Sequence, residues 1–472
     1  MRRVSELRHN SVVSYLRNVR TGTAAKPVPR LTLLPLIAAT YFIVAGGPFG
    51  LEDIVSKAGY FGAILILLIT PAIWGFPTAL MVSELASALP KEGGYYVWVT
   101  RGMGRFWGFQ EVWLSLVGSI FDMAIYPTLF VAYLGHFAPS LTADGRGFWI
   151  GVALIAVAAL WNVAGIRAVG RSSVVMGALL LAPFVLLTLY GAAHRGAPAV
   201  HPVPLHVDIL GGILVAMWNY MGWDNTSTVA GEVERPQRTY PLAMAGALTL
   251  ITLSYILPIG AVALTGLDAG SWSTGGWADV ARNVMGSGTA ASVTALGITA
   301  GGMIASLGTL NAITLTLSRL PLVLAEDGYL PRILTLRHPR TGAPWVAILC
   351  LAFTWALALQ LSFTKLIVLD VLLTGLSILL EFTALVALRL REPQLPRPFR
   401  VPGGLAGAVA VGIPPTILLI LTVVRNQAEP VGPINALALG AILVALGGVT
   451  YFVAGRIRKT HFRPPINADE RR

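Results

Sequence analysis

The stretch Ala45-Gly46-Gly47-Pro48-Phe49-Gly50-Leu51-Glu52-Asp53 lies inside the first long apolar segment of this chain, not between two segments. Three glycines and a proline interrupt a helix there, since glycine is a poor helix former and proline lacks the N–H that the preceding turn needs. Two carboxylates follow at once. In hydrocarbon an interrupted helix leaves backbone N–H and C=O groups unpaired, which is tolerated only where protein or a water-lined cavity re-satisfies them. An ionisable pair beside such a break therefore marks a candidate binding site. The competing reading is a proline kink whose two acids point into the headgroup zone.

The surrounding sequence is that of a membrane protein. Its 472 residues are 55% hydrophobic and 12% charged, against about 25% charged in a typical soluble domain. Apolar runs long enough to cross hydrocarbon as helices predict twelve spans: 31–57 (broken), 62–88, 106–134, 148–166, 173–193, 208–230 (broken), 241–266, 289–318, 344–361, 364–390, 405–424 and 433–455. An even number puts both termini on one side. That side collects 28 of the 34 Lys and Arg, leaving only Lys57, Arg146, Arg195, Arg282, Lys365 and Arg425 on the other, so the termini are expected in the cytoplasm of a plasma (inner) membrane. The net charge of +12 is thus spread over cytoplasmic segments, which suits orientation and anionic lipid and not a nucleic-acid patch. Residues 1–30 and 456–472 read as basic cytoplasmic tails, and the first span as its own insertion signal. The single cysteine, Cys350, precludes an internal disulfide.

A second break follows in span six, at Met217-Trp218-Asn219-Tyr220-Met221-Gly222-Trp223-Asp224-Asn225-Thr226. Apolar helix stops near Asn219, aromatics flank the stop, and Asp224 comes directly after. Broken helices in corresponding positions of two halves are the best sequence pointer to a transporter site at the midplane. The breaks in spans one and six are five spans apart, as an inverted five-plus-five repeat requires. The expected fold is therefore all-α, with repeats over 31–193 and 208–390 and two added helices over 405–455.

Other acids lie within spans. Asp122 and Tyr126 are four residues apart and share one helix face. A charge at such depth costs about 2.5 to 3.5 kcal/mol, to be offset by a substrate cation, a proton on the acid or a basic residue of another span. Asp370 and Glu381 stand eleven residues apart in span ten, on one face and about 16 Å from each other. Asp370 suits the outer vestibule; Glu381 suits a proton relay or a partner to Arg389 or Arg391. Glu84, at the end of span two, is expected to pair with Lys91 or Arg101. His194, His201 and His206 fall in a proline-rich loop and read as solvent-exposed rather than metal-binding.

The pattern E-L-x-x-x-x-P-x-x-G-G-Y-Y-x-W-V at 84–99 resembles the amino acid, polyamine and organocation transporter superfamily, as does G-E-x-x-x-P-x-x-x-x-P-x-A at 231–243. Within it the chain is most similar to the polyamine:proton symporter branch. That similarity rests on G-G-P-F-G-L-E-D at 46–53, W-G-F-Q-E-x-W at 107–113, F-D-x-A-x-Y-P at 121–127, W-N-x-x-x-W-D at 218–224, and L-E-F at 380–382 leading to R-P-F-R-V-P-G-G at 397–404. Span eight departs from the branch, carrying no acid through Ala300 to Asn311.

The expected function is alternating-access import of a small organic cation. Candidate substrate-binding residues are Gly46, Gly47, Phe49, Gly50, Glu52, Asp53, Asp122, Tyr126, Trp218, Asn219, Trp223 and Asp224: acids for ammonium groups, and indole faces that attract them. Proton coupling is what the resemblance implies, with Asp122 and Glu381 as candidate carriers. An amino-acid permease or exchanger stays open as the alternative, favoured by span eight. No cofactor or metal is called for, and no H-E-x-x-H or paired-aspartate motif points to an enzyme. The oligomeric state is left open.

Overall fold

Runs of Leu, Val, Ile, Ala and Gly become helices here because a helix satisfies its own backbone, as a segment surrounded by hydrocarbon must. The computed structural model describes residues 32–90, 94–164, 172–196, 208–225, 227 and 233–461. The N-terminal tail, most of the C-terminal tail, Lys91, His201, His206 and most of the second half of span six lie outside the described residues. In chain order the helices are α1 Leu33–Val44, α2 Glu52–Thr70, α3 Phe76–Ala88, α4 Gly94–Met103, α5 Arg105–Phe137, α6 Pro139–Thr142, α7 Arg146–Val163, α8 Ser172–Ala193 and α9 Ile209–Asn219. They continue as α10 Pro236–Ala263, α11 Trp277–Met285, α12 Thr289–Leu317, α13 Arg319–Glu326, α14 Trp345–Ala358, α15 Phe363–Arg391, α16 Gly404–Asn426 and α17 Ala436–His461. A π turn, Pro71–Gly75, joins α2 to α3, and a short antiparallel hairpin, Pro430–Val431 with Ile434–Asn435, precedes α17.

Among the described residues, eight helical stretches are long and apolar enough to cross a membrane, and four shorter apolar helices accompany them. Their outward faces are apolar: Phe61 is 83% exposed, Leu179 70%, and Leu160 and Phe452 64% each. The chain is a multi-pass helical membrane protein. Within α2, Gly59 leaves helical geometry at φ 66° and ψ 176°, so the chain turns there between the first two expected spans.

The centre of the bundle is the long pair α5 and α15, which run side by side in opposite directions. Helices α4, α12 and α17 pack on α5, and α16 on α15; α9 lies along α2, and α10 along α1 and α8. The segment between α10 and α12 folds back over the first helix break. There Trp277 Nε1–H donates to the Pro48 carbonyl at 2.7 Å, and Thr274 Oγ1–H to Asp53 at 2.6 Å. Trp272 Nε1–H reaches the Tyr60 hydroxyl at 2.9 Å.

At the opposite end, Glu84 is buried and accepts from Arg389, from the Val401 N–H at 2.7 Å, and lies 3.3 Å from Arg397 Nε. This corrects the expected pairing with Lys91 or Arg101. Arg101 instead makes a forked bond to Glu392 at 2.8 and 2.6 Å, which holds the Glu392 carboxyl below the ordinary carboxylate range. The reason is burial: Glu84 faces the α15 side of the core, where, among the described residues, the basic groups that reach it are Arg389 of α15 and Arg397 of the segment after it. A buried pair broken on one side leaves an uncompensated charge, at a cost of about 3 to 5 kcal/mol. Glu84→Ala is therefore expected to lower thermal stability of the detergent-purified protein markedly, whereas Arg101→Ala at its more exposed pair costs about 0 to 1 kcal/mol. Equal losses would contradict this assignment.

Candidate substrate cavity

The breaks in α1 and after α9 lie against each other. Gly46, Gly47 and Gly50 take positive φ (62°, 114° and 79°), a conformation that L side chains resist, and the chain restarts as a helix at Glu52. Gly222, at φ 91°, brings the second break close to the carbonyl of Ile43: an added Cβ would stand 3.3 Å from that oxygen. The freed backbone groups find partners in the protein. Gly50 N–H donates to the Tyr133 hydroxyl at 3.3 Å, and Tyr133 in turn donates to Glu52 Oε1 at 2.6 Å. In the second break the Asn219 carbonyl accepts from the Tyr255 hydroxyl at 3.1 Å and the Tyr220 carbonyl from Trp223 Nε1–H at 2.7 Å.

Between the breaks lies a cavity walled by the end of α1, by α4, α5, α12 and α15, and by the end of α9 with the chain after it. Three carboxylates enter its wall from three elements: Asp122 of α5, Asp224 after α9, and Asp370 of α15. Asp122 Oδ1 accepts from Trp218 Nε1–H and from the Tyr126 hydroxyl, both at 3.2 Å; Asp370 Oδ1 accepts from Thr374 Oγ1–H at 2.8 Å. Asp224 Oδ1 has no hydrogen-bond partner among the described residues. Among the described residues that line the cavity, none is Lys, Arg or His. Phe42, Tyr95, Tyr126 and Trp218 add aromatic surface, and Tyr126 and Trp218 stand 6.3 Å apart between ring centres. Such a cavity, with carboxyls, π-faces and no basic residue among its described lining, suits cations over anions.

Of the residues singled out from the sequence, Asp122, Tyr126, Trp218, Asn219 and Asp224 lie in the cavity wall. The others do not. Phe49 packs edge-on against Tyr133 and Phe184, while Gly46, Gly47 and Gly50 shape the turn behind the wall. Glu52 is fully buried against Tyr133, Asp53 is held by Thr274, and Trp223 is buried beside Gly75. Glu381 is fully buried outside the lining, and Arg389, one of its two expected partners, is occupied by Glu84, while Arg391 donates to the Gly102 carbonyl. Sequence reasoning missed Tyr95, Ser115, Ser119 and Thr374 and placed Asp370 in a vestibule. The signal was present: Glu111, Ser115, Ser119 and Asp122 recur at helical spacing on an otherwise apolar helix, as do Asp370, Thr374, Ser377 and Glu381.

Interrupted helices around an acidic, aromatic cavity inside a membrane bundle are the arrangement of a transporter's midplane site. The chain belongs to the amino acid permease family, whose model matches residues 37–446, and is a secondary transporter. It is similar to a probable polyamine transporter of Arabidopsis thaliana, 37% identical over 446 residues that cover 92% of this chain and 89% of the relative. It is likewise similar to polyamine transporter PUT1 of Oryza sativa subsp. japonica, 34% identical over 436 residues, covering 90% and 81%. The serine/threonine exchanger SteT of Bacillus subtilis is 28% identical over 334 residues, covering 68% and 74%.

Gly50 offers a test of how the breaks shape the cavity. A Cβ there would lie 2.9 Å from Trp218 Cζ3, whereas at Gly59, also at positive φ, it meets nothing within 4 Å. Gly50→Ala and Gly59→Ala each carry about 1 to 3 kcal/mol of backbone strain. Only Gly50→Ala is expected to raise the KM for substrate as well, because it displaces the indole that holds Asp122. Equal KM values in the two variants, measured by uptake, would contradict that role.

Proposed function

We propose that this chain imports polyamines or related organic cations across the plasma (inner) membrane by proton-coupled alternating access. The observation that carries the reading is the cavity itself: three carboxylates, aromatic walls and no basic residue among the described lining. A polyamine offers ammonium groups at both ends and no carboxylate to repel. Asp122, with its donors Trp218 and Tyr126, Asp370 and Asp224 take the ammonium groups, and Trp218 supplies a π-face. The names of the Arabidopsis and Oryza relatives agree with this choice.

The proposed topology has twelve transmembrane helices in a five-plus-five inverted repeat, 31–193 and 208–390, broken in helices one and six, with two further helices over 405–455. Both tails, 1–30 and 456–472, are cytoplasmic, so the Glu84–Arg389 end faces the cytoplasm. Each positive charge entering down 100 mV gains about 2.3 kcal/mol, so a dication gains about 4.6. A proton adds to that drive, carried by a buried acid, Asp122 or Glu381.

A second reading, an amino-acid permease or exchanger, is favoured by the absence of any acid in α12 and by the likeness to SteT. Uptake of labelled putrescine or spermidine into proteoliposomes under an inward proton gradient separates the two. Polyamine accumulation is expected, undisplaced by excess amino acids. Asp224→Asn and Asp370→Asn are expected to raise KM about tenfold or more, about 1.4 kcal/mol of lost binding each. Accumulation of an amino acid with no response to polyamines would overturn the reading.

A further inference from the structure

Helices α5 and α15 meet in one continuous antiparallel register that carries an acid pair at each of two levels. Asp122 lies within electrostatic reach of Asp370 in the cavity wall. One turn on, Gly118 backs onto Thr374, and Ser115 comes within 3.4 Å of Ser377. At the next level Glu111 accepts from the Ser377 hydroxyl and lies within electrostatic reach of Glu381. Each helix spans eleven residues between its two acids, about 16 Å, so the levels are parallel rungs joined by hydroxyl side chains.

The lower rung is unlike the upper. Glu111 and Glu381 are fully buried, and neither lines the cavity. Glu111 Oε2 and both oxygens of Glu381 have no hydrogen-bond partner among the described residues, although all are shut away from solvent. Among the described residues, the titratable groups facing the pair are Tyr95 from α4 and Asp224 from the second break, neither of which brings positive charge. Arg389, nearby in sequence, is committed to Glu84. Two buried carboxylates without a cation cannot both remain ionised, and a single proton resolves the geometry. Ser377 donates to Glu111, which leaves Glu111 Oε2 and the Glu381 carboxyl, all without another partner among the described residues, to share that proton. Tyr95 and Ser115 line both the cavity and the approach to this rung, so hydroxyls connect the two.

We propose that Glu111 and Glu381 together hold the coupling proton of this transporter, one level below the substrate cavity on the α5–α15 seam. The assignment rests on the proton-coupled reading above and replaces a single carrier acid with a pair. It also gives that coupling a physical basis. The cavity closes when its buried negative charge has been offset: substrate ammonium groups pair with the upper acids, and the proton reduces the lower rung from two charges to one shared between its two carboxyls. Release of the proton to the cytoplasm leaves two carboxylates at the rung, a state that requires access to water.

The test compares wild type, Glu111→Gln and Glu381→Gln in proteoliposomes, with putrescine as the probe. Glutamine keeps the shape and fixes the neutral state. Uptake by either variant is expected to lose its response to an inward proton gradient, while exchange of labelled for unlabelled putrescine at equal pH continues with KM near wild type. Retention of the gradient response in both variants overturns the proposal, as does loss of exchange with a raised KM, which would make the pair a substrate contact. A substrate-independent measurement separates failure of this assignment from failure of the polyamine reading. The infrared carbonyl band of a protonated carboxylic acid is expected at neutral pH in the wild type and reduced in Glu381→Gln. If wild type transports no putrescine, the polyamine reading falls, and this band alone decides the proton pair. If one variant does not fold, the other reports on the same shared proton.

Discussion

Backbone groups freed by a helix break must be paired inside the protein when the surroundings are hydrocarbon, and most of this architecture follows from meeting that demand twice. The Pro48 carbonyl is reached by Trp277 from the segment after α10, the Gly50 N–H by Tyr133 of α5, and the Asn219 carbonyl by Tyr255 of α10. Each partner is an aromatic side chain that spans the gap to the neighbouring break and presents one polar atom there. These contacts fix where α5 and α10 stand relative to the breaks. They also explain why the segment between α10 and α12 turns inward instead of projecting from the bundle. The space left between the two satisfied breaks is the cavity.

Buried acids in this protein fall into two groups by what faces them. Glu84 receives two arginines and a backbone N–H, a closed arrangement that pins the end of α3 to α15 and the segment beyond it. Glu52, Asp122, Asp224, Asp370, Glu111 and Glu381 receive only neutral donors or none among the described residues. Because desolvating a carboxylate without a counter-charge is so unfavourable, the second group requires cations or protons from outside the chain. That requirement links the fold to transport more directly than the shape of the cavity does. The same cavity lined by amides would be a binding site for many small molecules.

The likeness to polyamine transporters on one side and to a serine/threonine exchanger on the other fits a common scaffold whose lining sets the substrate. Helix α12 contributes Thr309, Ile313 and Leu317 but no carboxylate, and Asp370 of α15 supplies the charge on the far side of Asp122. Substrate selection on such a scaffold depends on a few positions, while the breaks and their aromatic partners are shared demands of the fold.

The sequence by itself determined that this is a helical membrane protein, because apolar length and composition answer directly to the thickness and chemistry of a bilayer. It also located both helix breaks, since glycine and proline act locally, and it drew attention to Asp122, Tyr126, Trp218, Asn219 and Asp224 through their places beside breaks or on one helix face. It did not separate Glu52 and Asp53, which neighbour a break, from the acids that line the cavity. Adjacency in the chain says nothing about which way a side chain points once the backbone leaves helical geometry. Only the tertiary structure decided that Glu84 belongs to Arg389 and Arg397, that Asp370 shares a cavity with Asp122, and that Glu111 meets Glu381. Those pairings depend on the register between helices distant in sequence, and register is set by packing across the whole bundle.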